Sequence, residues 1–342
     1  MKSPGGTTVA LDGFGVEKGF DVLEAGVRLA AADGIRIRVF GPEDRIGLED
    51  TPGAEVIDVR ESITNLDDPV PAVRSRPGAS IVRAVEDTRE GRSEAVVSLG
   101  STGAAMAAST FGLKRLRGVK RPALAVVIPL PGKPVLFLDI GANVEVRAQH
   151  LIQFAYLGAA FSSAVMGVDS PTVGLLSVGE ESGKGRGTEI EAHEVLSRSD
   201  EIDFVGNVEG GDIPAAGADV IVTDGFTGNV VVKAMEGAVK VVTSSISDAA
   251  RSNPLSAVGG LMLKPALSGL RSDLHPDTTG GAILLGLRSV AVVGHGSSGP
   301  DGVANAIRVA ARGAAVDAPG LTEEMLHRVG LNRGAIGSGD QS

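Results

Sequence analysis

The stretch Ala218–Gly237, ADVIVTDGFTGNVVVKAMEG, constrains the fold of this chain more than any other. Val220 to Val222 is a short β-branched run bounded by turn residues, the pattern of a strand buried on both faces of a parallel sheet. Asp224-Gly225 and Thr227-Gly228-Asn229 then supply small, turn-tolerant residues, and Val231, Met235, Ala238 and Val242 follow at helical spacing. The unit reads as strand, turn, helix, with the helix starting near Thr227 or Asn229. A helix start there aims backbone N–H groups and the positive end of its dipole at an anion, most simply phosphate. An ordinary N-capped helix in an α/β sheet gives the same pattern, because Thr, Asp and Asn are common caps.

The same unit recurs along the chain. Thr8 to Leu11 reads as a strand, with Gly13 and Gly15 in the turn before a helix over Val16 to Ala32. Ile35 to Phe40 and Ala54 to Val59 read as strands, Ser80 to Arg89 as a helix and Ala95 to Leu99 as a strand. Gly100-Ser101-Thr102-Gly103 leads into a helix over Ala104 to Leu116, so a second helix start is available to the same anion. Leu124 to Ile128 and Val135 to Ile140 are strands either side of a Pro-rich turn, and a helix spans Ala148 to Met166. Thr172 to Val178 is a strand, Glu189 to Leu196 a helix and Phe204 to Val208 extended. Ser289 to Val293 ends at His295 before a helix over Val303 to Val316. This alternation predicts one α/β domain over residues 1–330, a mostly parallel sheet flanked by helices, with ligands at strand carboxyl ends and a flexible tail over 331–342.

Composition excludes several chemistries. The chain of 342 residues contains no cysteine, so disulfides, thiolate metal sites and a cysteine nucleophile are absent. A formal net charge of −10 argues against non-specific nucleic-acid binding. Forty-eight glycines against ten aromatic residues suit tight turns and ligand contact through backbone amides. No leader-like apolar segment opens the chain and no apolar run reaches membrane-spanning length, which predicts a cytoplasmic protein.

Gly183-Lys184-Gly185 lacks the glycine spacing and hydroxyl of a nucleotide P-loop, yet a lysine on such a loop reaches a bound phosphate as a mobile point charge, or is simply solvated. His295 is placed for acid/base work or a phosphate contact, or for capping the next helix. The five histidines are scattered without a paired spacing, so no metal site is expected. Gly13-Phe14-Gly15 is too short for a dinucleotide fingerprint. Lys114, Arg115, Arg117, Lys120 and Arg121 concentrate positive charge on an acidic chain, either as a solvated helix end or as a dock for an acidic partner.

The motifs DIGANVE at Asp139, HLIQFAYLG at His150, GNVEGGD at Gly206, ADVIVTDGFTGNVVVKAMEG at Ala218 and HGSS at His295 resemble, in the same order, the acyl-ACP:phosphate acyltransferase family of bacterial phospholipid synthesis (PlsX), over residues 8 to 330. The resemblance implies a fold like that of isocitrate and isopropylmalate dehydrogenases and phosphate acetyltransferases, and a homodimer without nicotinamide, metal or other cofactor. The implied reaction is attack of inorganic phosphate on the thioester of long-chain acyl carrier protein (ACP), giving acyl phosphate for a membrane acyltransferase. Lys184 and Asn229 fall on the catalytic positions. Ser101, Thr102, Gly103, Thr227, Gly228 and His295 are the expected phosphate-binding set, with Asp12, Asn143 and Asp224 positioning substrate and the basic segment docking the carrier. Pro254 to Leu274 carries Leu255, Val258, Leu261 and Met262 on an apolar face; it is expected to form a helical hairpin, about 250–275, touching the inner face of the cell membrane as a peripheral contact.

The chain departs from the family pattern at Val16, Ser101, Ser177 and Thr279, which keeps two other readings open. One is a phosphate acetyltransferase-like enzyme using acyl-CoA. The other is a divergent, non-catalytic module that binds ACP or membrane.

Overall fold

Short aliphatic runs form one sheet of eleven strands in the computed structural model, which describes residues 6–130, 132–215, 217–251 and 276–331. The strands are β1 Thr8–Asp12, β2 Arg36–Gly41, β3 Ala54–Asp58, β4 Ala95–Ser98, β5 Ala123–Ile128, β6 Val135–Leu138, β7 Thr172–Ser177, β8 Asp203–Glu209, β9 Val220–Val222, β10 Ala282–Leu285 and β11 Val290–Val293. The helices are α1 Phe20–Ala32, α2 Pro69–Ser75, α3 Ser80–Arg89, α4 Thr102–Gly112, α5 Ala148–Phe161, α6 Gly187–Leu196, α7 Gly225–Arg251, α8 Pro300–Ala315 and α9 Ala318–Arg328, with a single turn at Pro276–Thr279. A π-helical turn, Ser162–Met166, extends α5.

Side-chain alternation along each strand feeds two helix layers. Val9 and Leu11 of β1, Leu136 and Leu138 of β6, and Val220 and Val222 of β9 face one core, shared with α1, α5 and α8. Ala10, Val96 and Leu124 face the opposite layer against α3 and α4. On that same side Phe137 and Ile221 pack with Val231, Val232 and Met235 of α7. Burial on both faces explains why these strands read as continuous apolar runs.

The strand order is β3-β2-β1-β4-β11-β10-β5-β6-β9-β7-β8. β1 to β4 and β11 run in parallel. β10 is antiparallel to both β11 and β5, and β6 is antiparallel to β5. β9, β7 and β8 then run parallel to β6. Two strand sets therefore point in opposite directions, and their carboxyl ends lie on opposite edges of the sheet. The α/β class and the mostly parallel sheet agree with the sequence. A single shared edge for all strand carboxyl ends does not hold, because the hairpins β5–β6 and β10–β11 reverse the polarity.

Several boundaries also shift. α1 begins at Phe20 rather than Val16, after Gly19 at φ 96°. α4 ends at Gly112 rather than Leu116, and Lys114 at φ 65° turns the chain, so the basic segment is a loop rather than a helix end. α7 begins at Gly225, ahead of both expected starts. β10, α2 and α9 were not anticipated. Leu255, Val258, Leu261 and Met262 lie outside the described residues, as does the tail from 332. No described helix is long and apolar enough to cross a membrane.

Candidate active site

The carboxyl ends of β6, β9 and β7 are adjacent, and their loops form one hydrogen-bonded body. Thr223 N donates to Leu138 O at 2.7 Å and Asp139 N to Thr223 O at 3.0 Å, carrying the β6–β9 pairing into the loops. Asp139 is fully buried. Its Oδ1 accepts from the backbone N–H of Leu124 (3.1 Å), Gly141 (3.1 Å) and Ala142 (2.9 Å). Its Oδ2 accepts from Asn143 N (2.8 Å) and Nδ2 (2.7 Å). Burial pushes this carboxyl above the ordinary aspartate value, against those donors. Asn143 Nδ2 also donates to Pro122 O at 2.8 Å, and Gly225 N donates to Asn143 O at 2.8 Å. Asn143 thus joins the end of the basic loop to the start of α7.

Asp224 caps α7. Its Oδ1 accepts from Thr227 N and its Oδ2 from Thr227 Oγ1, both at 2.8 Å, and Gly228 N donates to Asp224 O at 2.9 Å. The Arg186 guanidinium binds the same carboxylate as well as Glu189. Burial works to raise the Asp224 pKa, but Arg186 and the two Thr227 donors outweigh it and hold the group below the ordinary range. Three of the donors expected to face an external anion have partners within the protein. The N–H groups of Gly225, Thr227 and Gly228 bond within the protein, and the Asp224 carboxylate caps the helix start through Thr227. Asn229, one residue further along α7, is exposed.

Lys184 sits on the loop after β7, and that loop is fixed by its backbone. Asn207 Nδ2 donates to Gly179 O (3.2 Å) and Glu181 O (2.8 Å). Ser177 Oγ donates to Lys184 O (3.0 Å), and Lys184 N donates to Glu181 O (2.9 Å). The Lys184 side chain is exposed and makes no ion pair among the described residues. Arg186, two residues on, ties this loop to Asp224 and so to the turn that carries Asn229. Lys184 and Asn229 are therefore solvent-facing side chains on two elements bridged by one Arg–Asp pair. Sequence reasoning missed Arg186, noted Ser177 only as a departure from the family pattern, and gave Asn207 no role beyond its place in GNVEGGD. Only the Arg186–Glu189 spacing carried a signal, that of a capping pair.

The basic loop lies on the same sheet edge, since it enters β5 beside the end of β6. Lys114, Arg115, Arg117, Lys120 and Arg121 are exposed. Its backbone is held by Leu116 N to Gly286 O (2.9 Å), Lys120 N to Gln153 Oε1 (2.9 Å) and Gln153 Nε2 to Gly118 O (2.9 Å). Burial first, then the charges of Arg121, Arg147 and Lys120, lower the pKa of His150.

The remaining candidates gather on the other edge, at the ends of β1, β4 and β11. Ser101 Oγ accepts from Ala104 N at 3.4 Å and so caps α4, with Thr102 exposed and Gly103 half-buried beside it. His295 is exposed, and its Nδ1 accepts from Ser297 N at 3.3 Å with Ser297 Oγ at 2.8 Å. Glu17 N donates to Gly296 O at 2.8 Å, joining the β1 and β11 loops. No hydrogen bond or ion pair among the described residues joins this group to the Lys184–Asn229 group.

Asp12, at the end of β1, is buried and accepts from Ser80 Oγ (2.6 Å), Ser98 Oγ (2.8 Å) and Phe14 N (3.3 Å). Burial pushes its pKa up against these three bonds. Between the unfolded and folded values the native state binds the extra proton. Its stabilising contribution is therefore full below about pH 4 and is lost as pH rises through the folded value. Asp12→Asn is expected to remove that slope, so its urea midpoint gains on the unsubstituted protein as pH rises above about 4. Parallel midpoints across the range would show that Asp12 does not titrate differently on folding.

With this geometry in place, comparison with known proteins assigns the class. The family of fatty acid synthesis proteins matches residues 7–319, and the chain belongs to it. Curated relatives are named phosphate acyltransferase. The Lactococcus lactis subsp. cremoris protein is 39% identical over 313 residues, covering 88% of this chain and 92% of the relative. The Geobacillus thermodenitrificans protein is 38% identical over 325 residues, covering 94% and 99%. Among solved structures, the EutD phosphotransacetylase from Staphylococcus aureus aligns with a TM-score of 0.57 at 18% identity, covering 90% of this chain and 94% of that one. A branched-chain phosphotransacylase from Enterococcus faecalis gives 0.58 at 16% identity, covering 90% and 99%. At these identities the solved structures share the fold.

Proposed function

We propose that this chain is a phosphate acyltransferase acting on long-chain acyl-ACP at the Lys184–Asn229 edge of the sheet. One observation carries the reading: the Arg186–Asp224 pair bridges the loop bearing Lys184, which has no ion pair among the described residues, to the helix bearing Asn229. A phosphate oxygen attacks the thioester carbonyl carbon and the carbon–sulfur bond then breaks. The acyl group leaves as acyl phosphate, and the hydrogen phosphate proton ends on the carrier thiol. Phosphate is the nucleophile, so a chain without cysteine suffices. The protein's task is to hold a dianion near the thioester and to stabilise the oxyanion that develops. Lys184 supplies charge to the phosphate, and the Asn229 amide donates to phosphate or oxyanion. The α4 start at Ser101, Thr102 and Gly103, and His295, form a second group suited to an anion across the sheet. At Thr227 and Gly228, where the N–H groups are already spent, the contribution is to shape the turn.

The five cations of the basic loop, unpaired among the described residues, suit an acidic carrier. The exposed Val239, Val241, Val242 and Ile246 of α7 suit a second copy of the chain in a homodimer. Peripheral contact with a membrane, for delivery to a membrane acyltransferase, is assigned to the apolar residues Leu255, Val258, Leu261 and Met262.

The test is release of free ACP from palmitoyl-ACP with and without inorganic phosphate, beside a palmitoyl-CoA arm. Phosphate-dependent release is the expected result. Release that ignores phosphate, or that occurs only from the coenzyme A thioester, would count against the assignment.

A further inference from the structure

A groove on the helix layer lies outside the Lys184–Asn229 site. It is a surface cavity of about 370 Å³ between α2, α3 and α4, lined by Val73, Val82, Val85 and Ala108 and flanked by Arg74 and Phe111. At one end of the groove α3 and α4 approach closely. A Cβ on Gly112 would lie 2.2 Å from Val85 Cγ1, so this contact excludes any side chain there. Phe111, the residue before it, is turned outward and is 46% exposed. It is one of only two exposed phenylalanines among nine, on a chain with a single tyrosine and no tryptophan. The Arg74 guanidinium lies over its ring, 5.1 Å from the centroid. An exposed aromatic–arginine pair beside an apolar groove has the composition that dominates protein-binding surfaces.

The charge around the groove selects the partner. Arg74, Arg89 and Lys114 flank it against one carboxylate, Glu86, which is bonded to Arg89 at 3.0 Å. Arg74 and Lys114 make no ion pair among the described residues. The groove is also continuous with the basic loop, since Lys114 belongs to both. From Lys114 the loop runs along the sheet edge to Pro122, whose carbonyl is held by Asn143, which in turn holds the start of α7. A cationic strip on a chain of net charge −10 thus leads from this groove to the Lys184–Asn229 body.

We infer that the α2–α3–α4 groove docks an acidic protein surface that seats an apolar side chain against Phe111 and Arg74, and that this surface belongs to the carrier delivering the acyl thioester. The inference rests on the acyl-ACP reading for the identity of the carrier. Its test is direct binding, which stands apart from turnover.

Purified ACP without an acyl group is titrated into the unsubstituted protein, Phe111→Ala and Arg74→Glu by calorimetry. kcat and KM for palmitoyl-ACP and palmitoyl-CoA are measured on the same three proteins. Phe111→Ala is expected to weaken carrier binding about tenfold and Arg74→Glu by at least as much. KM for palmitoyl-ACP should rise by a similar factor, with kcat retained. Both side chains are exposed, and circular dichroism checks that each variant folds. Unchanged carrier affinity in both variants would overturn the inference. So would equal losses on the two thioesters, weakened binding to phosphatidylglycerol vesicles in place of carrier, or dissociation of a dimer by Phe111→Ala. If the unsubstituted protein binds carrier through these residues yet shows no phosphate-dependent release, the docking inference holds and the transferase reading falls.

Discussion

Lys184→Ala is expected to lower kcat by roughly 10²- to 10³-fold with palmitoyl-ACP and phosphate, the range seen when one preorganised charge-stabilising group is removed. The bonds that shape its loop involve backbone atoms of residues 179, 181 and 184, accepting from Asn207 and Ser177. Alanine keeps all of them. The side chain is exposed and unpaired among the described residues, so stability should stay within about 0.5 kcal/mol. Loss of rate without loss of melting temperature separates a chemical role from a structural one. Asn229→Ala, exposed in the second turn of α7, should behave in the same way. Lys184→Arg should recover part of the rate by keeping the charge, though a planar fork does not reproduce a mobile point charge. Near-normal turnover in Lys184→Ala would remove Lys184 from the mechanism.

Gly228→Ala is expected to damage stability and rate together. A Cβ there would lie 1.9 Å from Asp139 O, on the backbone of the loop whose carboxylate gathers five donors. Neither side can yield cheaply. α7 is tied to Asn143 through Gly225 N, and Asp139 is fixed on every side. Overpacking of this kind costs about 3 kcal/mol or more. The melting temperature should fall by roughly 5–10 °C, and displacement of α7 should carry Asn229 out of place. The internal control is Gly237→Ala, further along the same helix, where an added Cβ meets nothing within 4 Å. That variant should gain roughly 0.5–1 kcal/mol from helix propensity. Equal responses at the two positions would mean that α7 does not dock as closely as described.

Most strands could be read from the chain because burial on both faces leaves them as uninterrupted apolar runs. β10 escaped notice as a four-residue run between Gly281 and Gly286, too short to show a period. α9 escaped because Asp317-Ala318-Pro319-Gly320 reads as a turn; in the fold Asp317, at φ 51°, accepts from Gly320 N and starts a helix. Strand direction is not a local property. Nothing in Val135–Leu138 announces that it runs against β5, yet that hairpin and β10–β11 together decide which candidate residues share an edge. Lys184 and Asn229 came from family resemblance rather than from periodicity. The contact of Arg186 with Asp224 could not be read because the two lie 38 residues apart and meet only after β7 and β9 pair.

The cap on α7 bears on how the protein lets go of its product. A helix start with open N–H groups holds phosphate through fixed dipoles, a grip that a product phosphate would share. Here Asp224, itself paired with Arg186, caps that start, so in the proposed site a dianion beside Asn229 would draw its attraction from the exposed Lys184 and Arg186 side chains. Exposed charge of this kind is screened within about 8 Å at physiological salt. Such a site trades tight retention for rapid exchange, which suits a reaction whose reactive mixed anhydride must be handed on before water reaches it.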